Sequence, residues 1–133
     1  MKTKLPIAAR LLLGAVFAFA GTNHLFMFLP LPPPEGDMAR AFMAGLFQTS
    51  YFFPLLALTE TVTGLLLLSG RYVPLGLVLI APVTVNIFLF HLFLDPKGLG
   101  VAVVLVLLNL YLGWAYRRSF ASVLALKTDL SES

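Results

Sequence analysis

Residues 51–69 read YFFPLLALTETVTGLLLLS, a run in which Glu60 is the only acid and no base occurs. A helix needs about 20 apolar residues to cross a bilayer at 1.5 Å per residue, and this stretch has that length and character. Glu60 lies nine residues from either end, which puts its backbone near the middle of the hydrocarbon. A carboxyl is costly against lipid at that depth, so it must face the interior of a bundle. The remaining chain has to supply that bundle.

It does. The 133 residues are 59% hydrophobic and 11% charged, with a mean hydropathy of +0.95, too apolar to present a charged globular surface to water. Three further runs match the first, so the expected spans are residues 5–29, 51–69, 72–94 and 99–116. The basic start and Ala18-Phe19-Ala20 resemble a signal peptide with its cleavage site, but apolar residues continue through Leu25–Leu29, which favours an uncleaved span. Pro30-LPPPEG-Gly36 interrupts the chain, because proline lacks the amide donor. Asp37 is then placed to cap a helix over 37–50, whose Met38, Phe42, Leu46 and Phe47 form an apolar stripe. Too short to span, it is expected to lie in the interface. The predicted fold is an all-α integral membrane four-helix bundle with one short interfacial helix between the first and second spans. Residues 1–118 form its single domain and 119–133 a polar tail with enough apolar positions for a short surface helix. Lys2, Lys4, Arg10, Arg71, Arg117, Arg118 and Lys127 fall on one side of this arrangement and only Arg40 and Lys97 on the other. The positive-inside rule therefore puts both termini in the cytoplasm.

Composition also excludes chemistry. There is no cysteine, hence no thiol redox, disulfide relay or thiolate ligation by this chain. Two histidines are too few for a metal site, and the basic residues form no nucleic-acid patch. No phosphate loop, HExxH or plausible Ser-His-Asp set occurs.

The polar residues within the spans are the candidate site. Glu60 shares a helix face with Leu56, Thr63, Gly64 and Leu67, and Thr84 and Asn109 are expected at similar depth on the third and fourth spans. Interhelical Thr and Asn contacts are ordinary bundle glue. A second group lies nearer the other end: Asn23 and His24 close the first span, Gln48 and Thr49 precede the second, and Asn86 and His91 sit in the third. Arg10, Gly14, Phe17, Gly21 and His24 share one face of the first helix, where the glycines permit close packing that would aim His24 inward. Two readings stay open for Glu60. It is a protonated carboxyl bonded across the bundle for packing, or it carries a proton or anchors a ligand, with histidine as the proton-exchanging partner. Haem ligation by His24 and His91 is conceivable in geometry, but nothing in the pattern is specific to it and haem is not expected.

The segments RLLLGAVFAFAGTNHLF from Arg10, AFMAGLFQTSYFFPLLALTETVTGLLLLSGRYVPLGL from Ala41, PVTVNIFLFHLFLDPKGL from Pro82 and LNLYLGWAYR from Leu108 together resemble the DoxX family of small bacterial four-helix integral membrane proteins. The resemblance implies a bacterial inner-membrane location. It also implies association with membrane redox systems, since the family name derives from a subunit linked to a quinol oxidase or a thiosulfate:quinone oxidoreductase. It brings no agreed catalytic set. Quinone is the cofactor it points to, and redox-complex subunits or further copies of the chain are the partners beside the lipid bilayer. The expected function is thus a quinone- or lipophile-binding subunit of a membrane redox system. Rival readings are a non-enzymatic membrane scaffold and a small proton-linked transporter.

Overall fold

The computed structural model describes residues 2–131; the last two positions of the tail lie outside the described residues. The elements are α1 (Lys4–Phe26), α2 (Asp37–Gln48), α3 (Phe52–Ser69), α4 (Val73–Phe93) and α5 (Leu99–Ala115), with 3-10 turns at Pro96–Gly98 and Arg117–Phe120 and no strand among the described residues. Every helix except α2 belongs to a segment long and apolar enough to cross a membrane. The protein is therefore an all-α membrane bundle of four spans, as its sequence predicts. The spans pack in the cyclic order α1, α3, α4, α5 and alternate in direction, while α2 touches α3. Both termini and the α3–α4 turn lie at one end of the bundle, the terminal end; α2 and the α4–α5 turn lie at the other.

The helix ends have local causes. The apolar run of the first span extends to Leu29, but α1 stops at Phe26, where Met27 turns left-handed at φ 53°. Asn23 replaces the lost helical bonds: its Oδ1 accepts the Leu29 amide at 2.8 Å and its Nδ2 donates to the Leu29 carbonyl at 3.2 Å. At the terminal end Gly70 (φ 73°) and Tyr72 (φ 54°) are both left-handed, so the chain reverses within three residues. Asp37 does not cap α2. The N-cap is Gly36, with no side-chain cap bond, and Asp37 is the first helical residue, loosely paired with Arg40 at 3.7 Å. There its charge still suits the positive end of the helix dipole. The tail helix is also absent: beyond Tyr116 the chain forms the 3-10 turn and further turns, and Phe120 packs against the core.

Lipid tails are as apolar as leucine, so burial of apolar surface cannot drive these helices together; close van der Waals packing must. α1 and α3 make the tightest pair, and small residues are the reason. A Cβ added at Gly64 would lie 2.3 Å from the Ala18 amide nitrogen, and one at Gly21 would lie 2.5 Å from the Thr61 nitrogen. Gly14 meets Leu67, Leu68 and Gly64 at 3.0–3.1 Å. Around this ladder Leu13, Phe17, Leu67, Ile80, Leu105 and Leu112 form the core. Leu12, Phe19, Leu58, Leu65, Val85 and Leu107 face outward, toward lipid.

Gly21→Val and Gly64→Val are each expected to destabilise the detergent-solubilised protein by about 1–3 kcal/mol through overpacking. Gly113→Ala, where nothing lies within 4 Å of the added Cβ, should instead stabilise it by about 0.5–1 kcal/mol through helix propensity. Thermal melting followed by circular dichroism checks both signs.

Candidate functional site

Side chains on a helix lean toward its N-terminus. α1 starts at the terminal end and α3 at the α2 end, so their side chains lean toward each other along the bundle axis. His24, one turn from the end of α1, therefore reaches down, and Glu60, the ninth residue of α3, reaches up. They meet: His24 Nδ1 and Glu60 Oε2 share a hydrogen bond of 2.7 Å. This is the short end of the charge-assisted range of about 2.7–2.9 Å. The imidazole donates when Nδ1 carries the proton, and the carboxyl donates when it does not. Glu60 is 3% exposed at its side chain and His24 20%, and Glu60 is the one buried acid among the described residues. The Phe53 ring stands edge-on to His24 at 6.2 Å between centroids and stacks on Phe47 at 4.0 Å.

The pair lines a cavity of about 500 Å³ between the four spans, under α2, within the roughly 300–1,000 Å³ of small-molecule sites. Its walls are mostly apolar: Phe17 and Ala20 from α1, Phe52 and Leu56 from α3, Val83 and Ile87 from α4. Phe42, Met43 and Leu46 of α2 roof it, and Phe42 packs on Phe90 at 5.7 Å. Three more polar side chains line it: Asn86, His91 and Thr59, whose hydroxyl donates to the Leu55 carbonyl of its own helix. His91 Nδ1 lies 3.0 Å from the Asp95 carbonyl oxygen. A carbonyl only accepts, so Nδ1 donates there and Nε2 is left for other partners. The imidazole lies so close to Gly98 that any Cβ at that position would collide with it. The glycine of the Asp95-Pro-Lys-Gly98 turn thus serves the histidine.

The site therefore gathers His24, Glu60, Asn86 and His91 and leaves out the other candidates. Asn23 closes the end of α1. Thr84 donates to the Ile80 carbonyl of its own helix at 3.0 Å. Thr63 Oγ1 and Asn109 Nδ2 are buried with no hydrogen-bond partner among the described residues, and neither contacts Glu60 by hydrogen bond. The expected neighbours of Glu60 at equal backbone depth are thus replaced by His24, because the lean of the side chains closes a gap that counting residues leaves open. The aromatic lining from Phe42, Phe52, Phe53 and Phe90 is not among the expected site residues; its signal in the sequence is the apolar stripe of α2, the helix expected in the interface. Among the described residues no three His, Cys, Asp or Glu side chains form a group fit to hold a metal.

Above the cavity the loops are tied by Lys97 Nζ, which donates to Glu35 Oε1 at 2.6 Å. That hydrogen bond, aided by the ammonium's charge, holds the Glu35 carboxyl below the usual carboxylate range. The bond joins the α1–α2 connection to the α4–α5 turn.

The His24–Glu60 bond is testable by a double-mutant cycle. His24→Leu alone strands a buried carboxyl and should destabilise by about 3–5 kcal/mol, whereas the His24→Leu/Glu60→Leu pair should cost less than that single change. Denaturation in detergent reads the coupling, and simple additivity would contradict the bond.

Residues 5–92 of the chain match the model of the DoxX family, a match that takes in α1 to α4 and stops before α5. No curated protein and no solved structure shows significant similarity.

Proposed function

The chain belongs to the DoxX family, and from that premise we propose that it binds a quinone-like lipophile in its cavity as a subunit of a bacterial inner-membrane redox system. The observation that carries this reading is the His24–Glu60 bond in the wall of an apolar cavity between the spans. A quinone offers carbonyl oxygens that accept hydrogen bonds, and it takes up protons when reduced by an electron donor. With the Glu60 carboxylate on Nδ1, the His24 imidazole can carry both ring protons and donate from Nε2, while the pair stays neutral overall. A proton is thereby held beside the ligand without an unpaired charge in the bundle. Asn86 and His91 supply further hydrogen-bonding atoms on the α4 wall.

Co-purified lipophiles should include a quinone near stoichiometric amount, and mass spectrometry of the extract checks this. A glutamine at position 60 still accepts from Nδ1 but cannot balance an imidazolium. Glu60→Gln should therefore weaken quinone binding by about tenfold to a hundredfold, the size of a lost charge-assisted hydrogen bond. If Glu60→Gln binds quinone like the parent and Glu60→Leu only lowers stability, the pair is structural and the scaffold reading takes its place. Glu60-dependent proton leakage from liposomes without quinone binding would support the transporter reading instead.

The basic residues support a cytoplasmic setting for the terminal end, since Arg10, Arg71, Arg117 and Arg118 gather there while only Arg40 and Lys97 lie at the α2 end. Cysteines introduced at Glu35 and Lys127 should label from the periplasm and the cytoplasm respectively with a membrane-impermeant thiol reagent. The reverse pattern would invert the topology.

A further inference from the structure

α3 and α4 pack closely toward the terminal end, where a Cβ at Gly76 would stand 3.6–3.7 Å from Leu66, Leu67 and Thr63. Toward α2 the cavity separates them. Its α3–α4 side is lined by Leu55, which is 56% exposed, and by Thr59, Pro82 and Asn86. A second hollow, a groove of about 720 Å³, runs along the outer face of α4 between Val78, Ala81, Pro82, Val85, Asn86 and Leu89. Pro82 and Asn86 belong to both. The cavity and the lipid-facing groove thus adjoin at these two residues, on the side of α4 that turns toward α3.

Asn86 marks that junction chemically. It is exposed at hydrocarbon depth, seven residues from the end of α4, and its side chain makes no hydrogen bond among the described residues. An amide is expensive in lipid without a partner, which points to something polar arriving at that position. Pro82, one turn away, cannot donate to the Val78 carbonyl, so the groove holds a backbone acceptor freed from the helix ladder as well. Below Asn86 the groove offers Val85, Ala81 and Val78, a purely apolar path.

We propose that the ligand is an amphiphile that enters sideways from the bilayer between α3 and α4. Its polar head lies on His24 and Glu60, Asn86 hydrogen-bonds the head at the threshold, and its hydrocarbon chain leaves at that junction and lies along the α4 groove. This inference rests on the quinone-binding reading above and adds to it the route and the site of the chain.

The test uses the full-length protein in nanodiscs and two probes with one benzoquinone head, the first without a chain and the second with a decyl chain ending in a photoreactive diazirine. Photolysis of the bound decyl probe should label α4 within residues 78–89. Ala81→Trp fills the groove without touching the cavity lining; it should weaken the decyl probe about tenfold, the size of a modest steric clash, and leave the chainless probe unchanged. Val85→Trp, equally lipid-facing, repeats the measurement should Ala81→Trp fail to fold. Asn86→Leu should weaken both probes alike. Label on α1 or α5, or a decyl affinity indifferent to both tryptophans, overturns the lateral route while chainless binding keeps the cavity reading intact. Failure of both probes to bind the parent protein overturns both.

Discussion

Everything at this site depends on how closely α1 lies against α3. In a bilayer two helices gain little from hiding apolar surface, so their separation is set by the side chains at the contact. Gly14, Ala18 and Gly21 face Leu67, Gly64, Thr61 and Ala57 with no room for another carbon. That approach carries His24, one turn beyond Gly21, onto Glu60. A larger residue anywhere on the ladder would push the imidazole away from the carboxyl and leave an acid buried without a partner. The ladder is thus a positioning device for the chemistry as well as the main adhesive of the fold.

The other polar groups show how selectively the bundle spends hydrogen bonds. Thr22, Thr59 and Thr84 return their hydroxyl protons to carbonyls of their own helices, the usual arrangement for hydroxyls in spans. Asn23 holds a loop. Glu60 alone among the deeply buried groups bonds across helices to a second ionisable side chain. Packing needs would be met by threonine or asparagine. A carboxyl–imidazole pair has a chemistry those lack, because both of its members are ionisable. This difference in chemistry separates the functional reading from a purely structural one.

Much of the architecture is legible in the residues, because span length, proline breaks and glycine turns are local properties. The four spans, the short α2 and the close approach at Gly14, Gly21 and Gly64 follow from them. The members of the site follow too: Glu60 from its depth, His24 from the glycine face it shares, and Asn86 and His91 from their places on one span. Their grouping does not follow. Residue counting places His24 well above Glu60, and only the opposed lean of side chains on antiparallel helices brings them together. Likewise Asp37 has the composition of a cap, yet Gly36 takes the position, because Arg40 donates to the Pro34 carbonyl at 2.8 Å and fixes the entering chain. Such outcomes depend on directions in space that a string of letters does not carry.

One further regularity in the sequence acquires meaning from the structure. α1 meets α3 through Gly14, Ala18 and Gly21, whereas Phe42, Phe52, Phe53 and Phe90 of α2, α3 and α4 line the cavity. Helix separation follows the size of the residues at the contact. Small residues therefore close the α1–α3 seam, while aromatic ones stand around the cavity. His24 and Glu60 stand where the small-residue seam meets the aromatic-lined cavity. The contrast in side-chain size that leaves an apolar cavity beside the seam also sets where the carboxyl–imidazole pair stands.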